Sequence, residues 1–135
     1  MMKSRAARIR LTGGDTHLNE HEKMNYVEFP AATPEATRAF FEAAFGWEFE
    51  EFGPDYCAFS GQGLDGGFYR SPLYSSTQTG AALLIFYSDD LESTQAKIEA
   101  AGGKICKPIF AFPGGRRFHF NEPSGNEFAV WTAAD

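Results

Sequence analysis

One order of elements runs twice along this chain, and that duplication restricts the folds open to it. "ATPEATRAFFEAAFGW" reads as a helix with defined ends. Thr33 suits an N-cap, Pro34 the first helical position, and Glu35 the positive end of the helix dipole; Gly46 supplies the left-handed residue that closes the last turn. Ala36, Phe40 and Ala44, with Phe41 and Phe45 beside them, form its apolar stripe. "DDLESTQAKIEAAGG" is a second capped helix ending in glycine. Sliding Thr33 onto Asp90 brings Glu35 onto Glu92, Thr37 onto Thr94, Glu42 onto Glu99, Ala43 onto Ala100, Ala44 onto Ala101 and Gly46 onto Gly103. One strand ("MNYVEF" or "AALLIFY") precedes each helix. Three follow each: "WEFEEF", "YCAFSG" and "GGFYR", then "KICKPIF", "RRFHFN" and "NEFAVW". The pattern predicts an α+β protein made of two tandem β-α-β-β-β modules that complete a shared structure.

Module one is expected over about 24–72 and module two over about 80–132, within one domain from residue 24 to 135. Residues 1–23 are expected to be a flexible amino-terminal extension. They are basic at Lys3, Arg5, Arg8 and Arg10, with "ARIRL" as a short strand and "TGGDT" as a break. A formal charge of −6 argues against nucleic-acid binding, which depends on basic surface. No apolar run approaches the roughly 20 residues of a membrane span, and no apolar stretch follows the first arginines as in a secretory signal. Cys57 and Cys106 are far apart and belong to no C-x-x-C pair, so both are expected to be reduced, in a cytoplasmic protein. The 14 phenylalanines suit a core and equally the wall of an apolar pocket.

The doubled module, "FF" ahead of "FGW" in the first helix, "SDDL" before the second and "EPSGNEFAVW" near the end resemble the glyoxalase/bleomycin-resistance/extradiol-dioxygenase family, the vicinal oxygen chelate superfamily. The terminal run is similar to that family's D-P-x-G-N-x-hydrophobic signature, with Glu122 in place of aspartate. The resemblance implies a curved sheet from each module, with the two concave sides around a ligand cleft. In metal-dependent relatives the first and last strands of both modules supply four ligands. Here the resemblance puts Tyr26, Leu83 and Ala129 at three of those positions, with Asp65 just before the fourth. Leucine and alanine cannot ligate a metal, so no metal and no cofactor is expected.

Strand alternation sorts the side chains into two faces. Val27, Phe29, Leu84, Phe86, Phe118, Phe120, Phe128 and Val130 share an apolar face suited to packing on the helices. The opposite face carries Tyr26, Glu28, Leu83, Ile85, Tyr87, Arg117, His119, Ala129 and Trp131, and the resemblance makes it the ligand-facing one. Trp131 and Tyr26 can stack on a planar ligand, Arg117 can pair with an anionic group, and Glu28 and His119 are the candidate catalytic residues. Structural alternatives stand beside these roles. His119 can be a strand histidine bonded to a neighbour, Arg117 can neutralise Glu28, and Trp131 can plug the core. Tyr69 and Arg70 suit a rim or an interface, and "FPGGRR" a turn.

"THLNEH" matches the H-x-x-E-H pattern of inverted zinc peptidases through His17, Glu20 and His21. It precedes the first strand of the domain, has no apolar helical face and no evident third ligand, so exposed histidines are expected. The leading function is a metal-free small-molecule-binding protein of drug- or metabolite-sequestering type, with a partly aromatic ligand and a homodimeric state. The alternatives are a metal-independent acid-base enzyme, a lyase or isomerase, and a regulatory protein that takes a peptide or a subunit in its cleft.

Overall fold

Each expected module is one helix and one four-stranded sheet in the structure, a computed structural model describing residues 19–134. Module one holds β1 (Tyr26–Ala31), α1 (Pro34–Phe45), β2 (Phe49–Glu51), β3 (Tyr56–Phe59) and β4 (Asp65–Arg70). A 3₁₀ turn at Thr77–Thr79 leads to β5 (Leu84–Tyr87), α2 (Leu91–Ala100), β6 (Lys104–Phe112), β7 (Gly115–Asn121) and β8 (Glu127–Ala133). Strand orders are β1-β4-β3-β2 and β5-β8-β7-β6. First and last strands of a module pair in parallel, β1 with β4 and β5 with β8, and the other pairs are antiparallel. Residues 1–18, including "ARIRL", the basic cluster and His17, lie outside the described residues. Glu20, His21 and Glu22 are exposed, and His21 lies 3.4 Å from Glu22.

The helix ends differ from expectation in two places. Asp90 caps α2 by accepting the Ser93 N–H at 3.1 Å, but the Thr33 side chain makes no cap bond to α1. The Thr33 backbone is held across the molecule instead, its N–H donating to Ser124 Oγ at 3.2 Å. Gly46 closes α1 with φ 71°, whereas the left-handed residue after α2 is Gly102, one position before the glycine that the repeat aligns with Gly46. The second helix thus stops two residues earlier in the repeat, at Ala100, while its left-handed glycine is displaced by one.

The apolar faces of both sheets converge on one core. Phe41 of α1 stacks on Phe68 of β4 at 5.6 Å and meets Phe128 of β8 edge-on at 5.5 Å. Phe29 of β1 and Phe128 touch directly, with centroids 5.0 Å apart. Phe45 stacks on Phe86 at 4.8 Å, and Trp47 is wedged between Phe41 and Phe59. Phe40, Phe41, Phe68, Phe118, Phe120 and Phe128 are fully buried, and each such ring contributes about 1.5–3 kcal/mol of transfer free energy. The α1 helix therefore packs its aromatic stripe against the inner faces of both sheets.

A buried polar node joins the modules beside this core. Glu122 accepts from Thr37 Oγ1 of α1 at 2.6 Å, Asn126 Nδ2 at 2.6 Å, the Ser124 N–H at 2.8 Å and the Asn126 N–H at 3.3 Å. Asn126 also donates to the Pro30 carbonyl of β1 at 2.7 Å and accepts the Ser75 N–H. Burial raises the Glu122 carboxyl above its ordinary value, and its four donors offset this only in part. In module two the residue that the repeat aligns with Thr37, Thr94, stays local and bonds Ser88 Oγ.

Candidate functional site

Cross-strand register arranges the outer face of module two into rows. Phe110, Arg117, Trp131 and Tyr87 form one row across β6, β7, β8 and β5; Lys107, His119, Ala129 and Ile85 form the next. Irregularities between Ile105 and Lys107, and between Lys107 and Phe110, shift the alternation of β6 so that Lys107 and Phe110 both sit opposite outer-face residues of β7. His119 and Glu127 are both buried, with Nδ1 and Oε2 2.7 Å apart. His119 Nε2 lies 3.2 Å from Arg117 Nε and 2.8 Å from Nη2. Because guanidinium only donates, Nε2 is the acceptor and Nδ1 carries the proton given to Glu127. The other oxygen of Glu127 accepts the Thr77 N–H at 2.8 Å and the Thr77 hydroxyl at 2.9 Å. Burial alone would raise the Glu127 carboxyl; the bonds from His119 and Thr77 outweigh it and hold the group below its ordinary value.

Beyond this chain the face is aromatic. The Arg117 guanidinium carbon sits 5.7 Å from the Phe110 ring centre and 6.0 Å from that of Phe112. Tyr87 meets Trp131 edge-on at 5.1 Å, and Ile85 and Tyr87 are about half exposed. At the opposite end Tyr74, Thr77, Lys104, Lys107, Asn121 and Glu127 help to line an open pocket of about 590 Å³.

The outer face of module one is built around Tyr56. Its hydroxyl lies 2.6 Å from that of Tyr26 and donates to Glu28 Oε2 at 2.9 Å. The ring crosses β4 at Gly67, where any Cβ would collide with it. Burial raises both phenols, with their mutual bond and the Glu28 charge as further causes for Tyr56. Neither is a ready phenolate base near neutrality.

The residues expected to share one cleft thus fall into two groups, one on each sheet, joined by no hydrogen bond or ring contact among the described residues. Tyr26 and Glu28 join Tyr56. Arg117, His119, Ala129, Trp131, Ile85 and Tyr87 share the module-two face, with Leu83 half-buried just ahead of β5. Arg117 pairs with His119 and not with Glu28. Trp131 is a half-buried member of the face and not a core plug. Arg70 of β4 bridges Glu35 and Asp55. The pattern missed Tyr56, Glu127, Thr77, Phe110 and Phe112. Continuing the alternation of β8 back from Ala129 reaches Glu127, and that of β3 back from Ala58 reaches Tyr56.

The positions that the resemblance assigns to metal ligands do not fit a cation. Leu83 and Ala129 carry no donor, the Tyr26 phenol is bonded to Tyr56, and Asp65 accepts the Gly61 N–H. Among the described residues no three His, Cys, Asp or Glu side chains converge as a ligand set.

Comparison with solved structures gives the same architecture. A glyoxalase-related enzyme from Fulvimarina pelagi superposes with a TM-score of 0.69 at 17% identity, covering 82% of this chain and 88% of that one. A glyoxalase/bleomycin resistance protein/dioxygenase family enzyme from Burkholderia phytofirmans PsJN gives 0.68 at 19%, covering 82% and 98%. A lactoylglutathione lyase from Agrobacterium tumefaciens gives 0.64 at 17%, covering 84% and 95%. No curated protein matches the chain in sequence. The profile of one family matches residues 23–130, the stretch that holds both modules up to the middle of β8. The chain belongs to the Glyoxalase/Bleomycin resistance protein/Dioxygenase superfamily.

Proposed function

We propose that this protein binds a small, partly aromatic molecule on its outer faces without a metal ion, as a sequestering protein for a drug or metabolite. One observation carries the reading: on the module-two face the acid-base pair His119–Glu127 is committed to Arg117 and Thr77, while Ile85 and Tyr87 stay exposed and Trp131 half-exposed. His119 has both ring nitrogens engaged and little exposed surface, which suits holding Arg117 better than moving a ligand's proton. Titrating a panel of planar aromatic compounds against tryptophan fluorescence tests it. Quenching in the wild type that disappears in Trp131→Phe is expected, since Trp47 lies in the core. A panel that leaves the emission unchanged, or one tightly held metal ion per purified chain, refutes it.

Two half-clefts that share no side-chain contact favour a homodimer in which module one of one copy covers module two of the other. An apolar groove of about 500 Å³, lined in part by Val27, Trp47, Leu84 and Phe86, opens between the edge strands β1 and β5 and supports such a contact. Sedimentation at micromolar concentration is expected to give twice the chain mass. The free thiols Cys57 and Cys106 accord with a cytoplasmic setting, and among the described residues no helix is long and apolar enough to cross a membrane.

A second reading, a metal-independent acid-base enzyme, draws on Glu28, an exposed carboxylate that accepts from Tyr56. Under that reading Glu28→Gln abolishes turnover and leaves folding intact.

A further inference from the structure

We propose that Arg117 is an oxyanion-binding residue, so that the ligand of the module-two face is a planar molecule carrying a carboxylate or a comparable oxyanion. The inference rests on the small-molecule reading above and adds the chemical class.

Arg117 differs from its counterparts in what it touches. The described residues include four arginines. Arg38 pairs with Glu42 and Glu51, Arg70 with Glu35 and Asp55, and Arg116 with Glu92. Arg117 has no carboxylate partner among the described residues; its Nε and Nη2 point at one neutral acceptor, His119 Nε2. A guanidinium has five N–H donors. Two of them face His119, which leaves the Nη1–Nη2 edge with three, in the geometry that grips a carboxylate through two parallel bonds.

The group is also held in place. Phe110 and Phe112 lie against the guanidinium, and His119 is anchored through Nδ1 to Glu127, whose second oxygen is fixed by Thr77. Both oxygens of Glu127 are committed, so this carboxylate does not compete for the open edge. Lys107, cross-strand from His119, adds a second positive charge to the face. In the same row as Arg117, Trp131 and Tyr87 offer a ring surface for the body of the ligand. The protein as a whole carries a formal charge of −6 and repels anions, so any preference for one must arise locally.

Isothermal titration of the full chain with naphthalene-2-carboxylate and with naphthalene-2-carboxamide separates the charge from the ring. The carboxylate is expected to bind about ten- to a hundred-fold more tightly, the range for charge-assisted hydrogen bonds. In Arg117→Gln that ratio falls to near one, while the amide's affinity is unchanged and reports an intact fold. In His119→Asn the ratio also drops, because the guanidinium loses its tether, and the amide again binds as before. Equal affinities in the wild type, or a ratio that survives Arg117→Gln, overturn the oxyanion assignment and leave the cleft reading standing. If neither compound binds at millimolar concentration, the cleft reading fails and takes the assignment with it.

Discussion

Removing one hydroxyl, in Thr37→Val, tests whether the buried Glu122 node holds the two modules together. Thr37 Oγ1 donates to Glu122 at 2.6 Å, both residues are almost wholly buried, and the valine keeps the side chain's shape. A hydrogen bond to a charged group is worth about 1.5–3 kcal/mol, so a loss near 2 kcal/mol is expected. At about 4 °C per kcal/mol for a domain of this size, the melting midpoint falls by about 8 °C. Glu122→Gln costs at least as much, because its amide nitrogen must face donors on one side or the other. Flipping Asn126 to oblige would break its bonds to Pro30 and Ser75. The pH dependence gives an independent check. Glu122 has a folded value raised by burial. Its favourable contribution is therefore complete below the ordinary carboxylate value and is lost as pH rises through the folded one. The cost of Glu122→Gln is then largest in acid and shrinks toward neutrality. Urea unfolding followed by far-ultraviolet circular dichroism between pH 4 and 8 measures both effects. A Thr37→Val change under about 0.5 kcal/mol, or a Glu122→Gln cost that grows with pH, refutes the node as described.

Three further outcomes follow from the geometry. Asp90→Ala removes a cap bond that is present and costs about 1 kcal/mol, whereas Thr33→Ala removes none and changes the urea midpoint little. Gly67→Ala forces Tyr56 off β4 and lowers the thermal midpoint, a loss of about 1–3 kcal/mol; if the stability is unchanged, the ring does not lie where the structure has it. Glu127 behaves in the opposite sense to Glu122. Its carboxyl is held low, so its contribution is present above the ordinary value and lost as pH falls through the folded one. The cost of Glu127→Gln is accordingly greatest at neutral pH and fades in acid, as pH-dependent unfolding will show.

The fold was legible because hydrophobic pattern and core coincide. Val27, Phe29, Leu84, Phe86, Phe118, Phe120, Phe128 and Val130 alternate along their strands, and all of them pack into or against one cluster. The site was legible only where strands are regular. On β7 and β8 the period of two places Arg117, His119 and Trp131 correctly on the outer face. On β6 two irregularities break that period, so neither Phe110 nor Lys107 can be placed by alternation. The Thr77 bond to Glu127 comes from a turn some 50 residues away in sequence, a contact that no local pattern encodes. Thr33 shows the converse limit. Its residue type predicts a cap, yet the chain spends its backbone on Ser124 of the other module.

These features bear on how a fold of this kind can change its chemistry without losing its stability. The aromatic core lies between the inner faces of the sheets, and the positions that would hold a cation lie on the outer faces, separated from the core by the thickness of a sheet. Leucine at 83 and alanine at 129 therefore remove metal donors without opening a cavity among the phenylalanines, and Ala129 is itself fully buried under its neighbours. The polar groups that remain cannot stay unpaired at this depth. His119 takes Glu127 on one side and Arg117 on the other, so a buried carboxylate is balanced and a guanidinium is turned outward. Under the proposed oxyanion reading, a histidine in that position would direct charge at a ligand through the arginine beside it, and changes at Arg117, Tyr87 and Trp131 would then alter ligand choice with little effect on the core.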